Sequence, residues 1–466
     1  MSASEGRIAE VLQRAEATEE ETLRRWFELL RIPSVSAQPQ HAKDCQEAAE
    51  WVRAQLLELG FQADVLPTDG KPCVLAHHPG PGGDVPHLLY YGHYDVQPPE
   101  PLELWTSPPF EPTVVDGPRG KRIVARGAVD NKGQLVAWLG AFRAWHSVTR
   151  TMPLRITVLV EGEEEIGSPS LEKVLIAQRA RLHADQAVIS DTNMWDIATP
   201  AITTRLRGLA YVQVNLRAAA RDLHSGLYGG SAQNVLNILT RALGGLHDAQ
   251  GRVQLPGFYD RVRPLPPEQV AEWESLGFNE QAFLAGIGQK EPAGEKGLPA
   301  LVRLWARPTA DINGIWGGYT GSGAKTVIAA EAHAKVSFRL VPDQDPGEVL
   351  ASFQRFIADR IPPGVTASYE SLTAAAAIVV PRESRFVAAA ERALREEFGR
   401  PPVFIGSGGS VPVVESFKRV LGLDTLLMGF GLEDDQVHSP NEKFELACFL
   451  HGMRSHIRLL GHLAQA

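Results

Sequence analysis

The stretch Leu88-Leu-Tyr-Tyr-Gly-His-Tyr-Asp-Val-Gln97 decides how the rest of the chain is interpreted. Its apolar run, Leu88–Tyr91, predicts a short strand that is buried on both faces. The run breaks at Gly92, which would place His93 and Asp95 just beyond the carboxyl end of that strand, where open α/β sheets bind ligands. In a His-x-Asp pair the imidazole can bind a metal while the carboxylate fixes its orientation, although the same pair also occurs in capped turns.

Length and composition indicate a large soluble protein with a small acidic excess. The chain has 466 residues and a formal net charge of −9, without a block of Lys or Arg, which argues against a nucleic-acid partner. No apolar run is long enough to span a membrane, and the N-terminus has no apolar signal core. The scattered cysteines, Cys45, Cys73 and Cys448, favour a reducing compartment over a disulfide framework. The predicted location is the cytoplasm.

Strands alternate with helices in the first part of the chain and again in the last part, a pattern typical of a helix-covered, mostly parallel sheet. Residues 4–30 read as one long amphipathic helix. From about Arg207 the strands alternate like half-exposed ones, which indicates an inserted α+β domain with an antiparallel sheet. We therefore predict an α/β catalytic, metal-binding domain formed by residues 1–206 and 381–466, with the inserted α+β domain at residues 207–380.

Predicted strand ends supply five candidate metal ligands: His93, Asp130, the Glu163–Glu165 run, Asp191 and, after a late strand at 425–429, His438. Each has an ordinary alternative, since Asp130 could cap the helix that follows it, the acidic run could be a solvated loop, and His438 could belong to a turn. Their coincidence at the carboxyl ends of apolar strands favours a metal site. Two imidazoles with carboxylates and no thiolate suit zinc, with manganese or cobalt as alternatives.

Five motifs resemble those of the co-catalytic dizinc peptidases, a family that includes aminoacylase, bacterial carboxypeptidases, desuccinylases and carnosinase-like dipeptidases. In chain order they are His93-Tyr-Asp-Val-Gln-Pro, Arg126-Gly-Ala-Val-Asp-Asn-Lys-Gly, Glu161-Gly-Glu-Glu-Glu-Ile-Gly-Ser, His224-Ser-Gly and His438-Ser-Pro-Asn-Glu. The match runs from about Arg31 to the C-terminus. Phe338-Arg-Leu-Val-Pro and Gly317-Gly-Tyr-Thr-Gly-Ser-Gly-Ala-Lys-Thr-Val-Ile resemble the cytosolic dipeptidase branch.

The resemblance implies two zinc ions per subunit and assigns a role to each residue of the metal site. Asp130 would bridge both ions, His93 and Asp191 would hold one of them, and Glu165 and His438 would hold the other. Asp95 would orient His93, and Glu164 would be the general base. A bridged metal pair can polarise a peptide carbonyl and supply hydroxide near neutral pH. A carboxylate that is not itself a ligand then takes the proton of the water and passes it to the leaving amine.

The resemblance also assigns roles to four residues outside the metal site. In the family a histidine at the position of His224 reaches the partner's active site and stabilises the oxyanion, which implies a homodimer and makes the inserted domain a lid and dimerisation domain. Arg339 would bind the C-terminal carboxylate of the substrate, helped by Thr326 and Ser410. The ordinary alternatives are a structural histidine in a Gly-rich loop and a solvated strand arginine.

We therefore expect a metallohydrolase that cleaves dipeptides or similar small amides with a free C-terminal carboxylate. One alternative is a deacylase or desuccinylase of the same family that acts on N-acyl amino acids. Another is a non-catalytic binding protein that kept the fold, which the intact ligand set together with Glu164 disfavours. One departure leaves the preferred substrate open, because Gly406 and Ser407 stand where the dipeptidase branch often has Arg-Glu.

Overall fold

The computed structural model describes residues 3–465, which form two compact units. Unit 1 comprises the chain up to Thr204, Val380–Ile405 and the chain from Pro412 onward, and unit 2 comprises Arg205–Val379 and Gly406–Val411. The lid and dimerisation roles of the inserted domain, and its bounds at 207 and 380, stay predictions.

The first part of the chain alternates helices with strands. Its helices are α1 (Ala3–Ala17), α2 (Glu19–Leu30), α3 (Ala42–Glu58), α4 (Lys132–Thr149) and α5 (Leu171–Ala177). Its strands are β1 (Gln62–Leu66), β2 (Cys73–His78), β3 (His87–His93), β4 (Thr113–Gly117), β5 (Gly120–Val124), β6 (Arg155–Glu161), β7 (Gln186–Ile189) and β8 (Ala201–Leu206).

The prediction of one helix over residues 4–30 is wrong, because the chain breaks at Thr18 into α1 and α2. The Thr18 hydroxyl donates to the Arg14 carbonyl at 2.9 Å, and the backbone at Thr18 leaves the helical region at φ −118°. A threonine hydroxyl that bonds back into its own helix competes with the regular ladder, which accounts for the break. Both helices still bury one face, which includes Val11 and Trp26.

Unit 2 is built on an antiparallel sheet. The helices of this part are α6 (Ser225–Tyr228), α7 (Val235–Gly244), α8 (Pro267–Glu274), α9 (Glu280–Gly286), α10 (Ala300–Ala306) and α11 (Pro346–Ala358). The strands are β9 (Gly208–Arg217), β10 (Leu223–His224), β11 (Thr309–Gly317), β12 (Val327–Ile328), β13 (Glu331–Leu340), β14 (Thr366–Ala375) and β15 (Ile378–Val379).

Four of these strands form a sheet in the order β11-β13-β9-β14, and every pair in it is antiparallel. β9 and β13 alternate buried and half-exposed residues, as the sequence predicts. The buried residues of both strands share one core with apolar residues of α7 and α11, such as Leu239 and Phe353. β11 was not predicted, because most of its residues are exposed and the strand lacks an alternating pattern.

The last part of the chain contains helices α12 (Arg385–Phe398), α13 (Pro412–Ser416) and α14 (Leu446–Leu463) and strands β16 (Val403–Ser407), β17 (Thr425–Leu427) and β18 (Lys443–Glu445). The large sheet of unit 1 runs in the order β1-β2-β6-β3-β7-β17-β8. Its four central strands, β6, β3, β7 and β17, are parallel. This architecture confirms the predicted α/β class with a mostly parallel sheet.

The parallel strands sit in the core of unit 1. All seven residues of β3 and all four of β7 are buried, as is typical of a parallel sheet covered on both faces. Cys45, Cys73 and Cys448 are free and buried. Among residues 3–465, every helix is too short or too polar to cross a membrane.

Candidate metal centre

The candidate ligands lie where the central parallel strands end. His93 is the last residue of β3 and pairs with Glu161 at the end of β6. The Glu163–Glu165 run follows β6, and Asp191 follows β7. The prediction that the strand stops at Gly92 is wrong. A Cβ atom at Gly92 would lie 2.7 Å from the Tyr90 hydroxyl, so glycine serves close packing within the strand and does not end it.

Asp130 lies between the two imidazoles. Its Oδ1 is 3.2 Å from His93 Nε2, and its Oδ2 is 3.0 Å from His438 Nε2. Asp191 Oδ2 is 3.6 Å from His93 Nε2, and Glu165 Oε2 is 3.1 Å from His438 Nε2. The ligand atoms therefore form two groups that share Asp130, one with His93 and Asp191 and the other with Glu165 and His438.

The charges of this cluster fit a cation site. In the part of the chain that the structure describes, the ion-pair partners of Asp130, Asp191 and Glu165 are imidazoles only, with no Lys or Arg among them. His93 Nε2 is buried and makes no hydrogen bond of good geometry with any described residue. A buried nitrogen that faces two carboxylates without such a bond, in a set of imidazoles and carboxylates, suits a divalent metal of the zinc type.

The pKa shifts reflect how strongly the cluster depends on positive charge. Burial raises the pKa of Glu165 to about 7, and the nearby Asp130 charge adds to that rise. Contacts with Asp130 and Glu165 raise the pKa of His438 to about 10. Although burial opposes it, the contacts with His438 and His93 hold the pKa of Asp130 well below its usual range. The charged forms of Asp130 and Glu165 are thus favoured by the nearby imidazoles of His93 and His438.

Glu164 lies beside both groups without belonging to either. Burial raises its pKa to about 9, the Asp191 and Asp130 charges push it further up, and His93 opposes the rise. Among the described residues it has no ion-pair partner within 4 Å. A half-buried carboxylate next to the ligand set, but outside it, is in a suitable place for a general base.

Asp95 is fully buried and contacts both His93 and the backbone of the Glu163–Glu165 run. Its backbone carbonyl accepts the hydrogen bond of His93 Nδ1 at 3.1 Å, and its carboxylate Oδ1 lies 3.3 Å from the same nitrogen. The same carboxylate accepts hydrogen bonds from the backbone N–H groups of Glu164 at 3.3 Å and Glu165 at 3.1 Å. A carboxylate behind a ligand histidine fixes the ring orientation and its tautomer. This geometry supports the predicted role of Asp95.

Two residues of the motifs were given no role by the sequence. Gln97 donates to Glu165 Oε2 at 2.9 Å and to the Glu165 carbonyl at 3.0 Å, so it orients that side chain. Glu442 accepts the backbone N–H of Asp130 at 3.1 Å. The available signal was their place in the motifs that carry His93 and His438. Glu163 points elsewhere, because it accepts the N–H groups of Lys71 and Ser170.

The remaining predicted residues lie in unit 2: His224 and Thr326 on neighbouring strand segments, and Arg339 in contact with Ser410. His224 in β10 pairs with Val327 in β12, and the backbone N–H of Ser225 donates to the Thr326 carbonyl at 3.0 Å. His224 is exposed, and its Nδ1 accepts the N–H of Gly226 at 3.0 Å, which leaves Nε2 as the donor.

Arg339 and Ser410 are in direct contact. Arg339 Nη1 donates to Ser410 Oγ at 3.3 Å. Burial lowers the pKa of the Arg339 guanidinium, and Asp311 opposes that shift. Within residues 3–465, Arg339 has no carboxylate at ion-pair distance. A half-buried guanidinium of this kind can bind a carboxylate of a ligand.

The fold and the ligand geometry agree with a comparison of the whole chain. A family model described as peptidase family M20/M25/M40 matches residues 89–462. The chain belongs to this family. The Cys-Gly metallodipeptidase DUG1 of Candida albicans is 30% identical over 453 residues, with 91% of each chain covered. The human Beta-Ala-His dipeptidase is 30% identical over 441 residues, which cover 93% of this chain and 82% of the relative.

A solved dipeptidase structure has the same fold. The structure of the dipeptidase Dug1p from Saccharomyces cerevisiae matches with a TM-score of 0.84 and 27% identity, over 98% of this chain and 99% of that one. The resemblance to the metallopeptidase family and to its dipeptidase branch is therefore confirmed.

Proposed function

We propose that this family member is a dipeptidase that depends on two divalent metal ions per subunit, zinc in the first instance and manganese or cobalt as alternatives. The observation that carries the proposal is Asp130, whose two carboxylate oxygens each face a different imidazole, His93 and His438. A carboxylate placed in this way is suited to bridging two cations. His93 and Asp191 would hold one ion, and Glu165 and His438 the other.

The chain's own residues account for the proton transfers. When bound, the metal pair would polarise the scissile carbonyl and lower the pKa of a water molecule, so that it could attack as hydroxide once its proton is removed. Glu164 takes the proton of that water on a carboxylate oxygen and returns it to the leaving amine. Asp95 keeps His93 Nε2 directed at the metal site because it holds the opposite ring nitrogen, Nδ1. Gln97 keeps Glu165 in its rotamer.

Arg339 is proposed to bind the C-terminal carboxylate of the substrate. Its planar guanidinium matches a carboxylate in two parallel hydrogen bonds, and the Ser410 hydroxyl that it contacts adds a further donor. The family resemblance implies that Thr326, which directly precedes β12, also contributes to binding this carboxylate. Binding at this group favours substrates that end in a free carboxylate, which dipeptides share with N-acyl amino acids.

His224 is proposed to act in a homodimer as the oxyanion donor of the partner's site. Its exposed imidazole presents Nε2 away from the chain segment that fixes Nδ1. Unit 2 carries exposed apolar side chains that a second subunit would cover. Leu227 is 76% exposed, and the edge strand β11 carries the exposed Ile312, Ile315 and Trp316. An edge strand with exposed apolar side chains is a common site of pairing between chains.

We propose dipeptides rather than N-acyl amino acids as the substrate class, because the relatives named above are a Cys-Gly dipeptidase and a Beta-Ala-His dipeptidase. The test is a panel of Ala-Ala, Cys-Gly, β-Ala-His and N-acetyl-alanine with metal-loaded protein. Hydrolysis of one or more dipeptides well above N-acetyl-alanine is expected. Preference for the acyl amino acid would favour the deacylase alternative, and metal binding without any turnover would favour a binding protein. The cytoplasm remains the proposed location.

A further inference from the structure

Glu442 is a fully buried carboxylate that the catalytic scheme does not use. Its Oε2 accepts hydrogen bonds from Arg126 Nη1 at 2.7 Å and from the Gly127 N–H at 2.9 Å. Its Oε1 accepts the N–H groups of Val129 at 3.0 Å and Asp130 at 3.1 Å. One side chain therefore binds four donors, three of which are backbone groups of the loop that ends at Asp130.

These bonds define the shape of that loop. The Glu442 carbonyl also accepts the Ala125 N–H at 3.1 Å, so both the backbone and the side chain of Glu442 hold residues 125–130. The backbone N–H groups that surround the carboxylate would be costly to bury without a partner. The backbone of Asp130 is thus held by a residue 312 positions later in the chain.

The same residue lies four positions after His438, in a segment that is also fixed. Asn441 has the left-handed backbone that asparagine tolerates, at φ 63°. Its Oδ1 accepts the Thr106 N–H at 2.7 Å, and its Nδ2 donates to the Leu104 carbonyl at 2.8 Å. The short connection between His438 and Glu442 therefore has little freedom.

We propose that Glu442 is a positioning residue that couples two metal ligands, Asp130 and His438, by holding the loops that carry them in one fixed arrangement. The inference rests on the proposed metal site. Because Asp130 is shared by the two groups of ligand atoms, a shift of its loop would weaken the binding of both metal ions at once. Residues that orient metal ligands change metal affinity by about 10–100-fold when they are replaced.

The test is the metal affinity of Glu442→Gln, measured on metal-free protein by calorimetric titration with Zn²⁺ and by the absorption spectrum of added Co²⁺. An amide has one acceptor oxygen where the carboxylate has two, so two of the four donors would face an NH₂ group. We expect both Zn²⁺ dissociation constants to rise by about 10–100-fold and the Co²⁺ spectrum to change.

Glu445→Gln is the matched control. Glu445 is equally buried and lies three residues further on, and it pairs with Arg119 at 3.1 Å and Lys443 at 3.2 Å without any bond to residues 125–130. Both variants should lower the urea stability of the metal-free protein, but only Glu442→Gln should lower metal affinity. Equal loss of metal affinity in both variants would show a general destabilisation and overturn the inference.

Glu442→Asp keeps the test valid if the glutamine variant does not fold. The aspartate keeps its charge opposite Arg126 but is one methylene shorter, so it cannot reach all four donors. We expect a folded protein with weakened binding of both ions. Wild-type metal affinity in either folded Glu442 variant would overturn the positioning role of Glu442 but not the proposed function. Failure of the wild-type protein to bind two metal ions would instead refute the proposed function.

Discussion

Glu164→Gln separates the proposed general base from the proposed metal ligands. Glu164 lies outside both groups of ligand atoms, so the variant should bind two metal ions as the wild type does. Glutamine has nearly the same shape but cannot accept a proton at this position. We therefore expect kcat to fall while the metal content stays at two equivalents.

The size of the effect follows from the surroundings of Glu164. Without metal, burial and the charges of Asp191 and Asp130 raise its pKa to about 9, so the side chain would be mostly protonated at pH 7. Two divalent cations beside the same carboxylates would lower that pKa, and Glu164 would become an effective base only when both are bound. Removal of a general base costs about 10²–10⁴-fold in rate, or about 3–5 kcal/mol.

The assay measures kcat and KM for a dipeptide together with metal content by elemental analysis, at several pH values. Glu163→Gln is the matched control from the same acidic run, because Glu163 binds the N–H groups of Lys71 at 2.9 Å and Ser170 at 3.2 Å. It should lose about 1–3 kcal/mol of stability and keep most of its kcat. The reasoning is refuted if Glu164→Gln holds both metals and retains about a tenth or more of the wild-type kcat, or if it loses metal while Glu163→Gln does not.

Three further predictions concern other parts of the molecule. Asp130→Asn should lose both metal ions together, because one carboxylate faces both imidazoles, and a full two equivalents in that variant would contradict the bridging role. His224→Ala alone should lose about 10²–10³-fold in kcat. If His224 acts across a dimer, mixing inactive His224→Ala and Glu164→Gln subunits should restore activity. No recovery despite proven subunit exchange would rule out a role of His224 in the partner's site. Burial and the nearby His77 lower the pKa of His87 from 6.5 to about 4. The folded state thus binds fewer protons than the unfolded state between these pH values, and stability attributable to His87 falls by up to about 3 kcal/mol as the pH drops through this window. His87→Gln should flatten that part of the urea-unfolding profile, and an unchanged profile would refute the assignment.

The parallel core of unit 1 and the positions of its candidate ligands could be predicted because they rest on local signals. β3, β6 and β7 are continuous apolar runs, and His93, the Glu163–Glu165 run and Asp191 follow directly from where those runs end. The motifs then added the order and the roles, which composition and periodicity alone could not supply.

The sequence-based predictions fail where a close contact, a strand pairing or a local hydroxyl bond decides the structure without leaving a pattern of apolar residues. Gly92 looked like a strand end, but it is a glycine because Tyr90 and Asn131 leave no room for a Cβ atom. β11 is not predicted because its residues do not alternate between apolar and polar. It forms a strand because it pairs along the ten-residue strand β13. Thr18 was missed because a hydroxyl bond to Arg14 is a local alternative that amphipathicity does not reveal.

The roles of Gln97 and Glu442 could not be predicted from neighbouring residues, for a different reason. Gln97 acts on Glu165, 68 positions away, and Glu442 acts on Asp130, 312 positions away. Both act through hydrogen bonds between polar groups that carry no periodic signature. Only the fold brings such partners together, so their roles follow from the structure and not from spacing along the chain.

The most direct test of the account is a metal titration of the metal-free protein with dipeptide hydrolysis and bound metal measured at each step. The account predicts two bound Zn²⁺ ions per subunit and dipeptide hydrolysis that appears only as the ions fill the His93–Asp130–Asp191 and Asp130–Glu165–His438 groups. Full dipeptide hydrolysis by protein that is free of metal, or binding of two ions that survives replacement of Asp130, would contradict it.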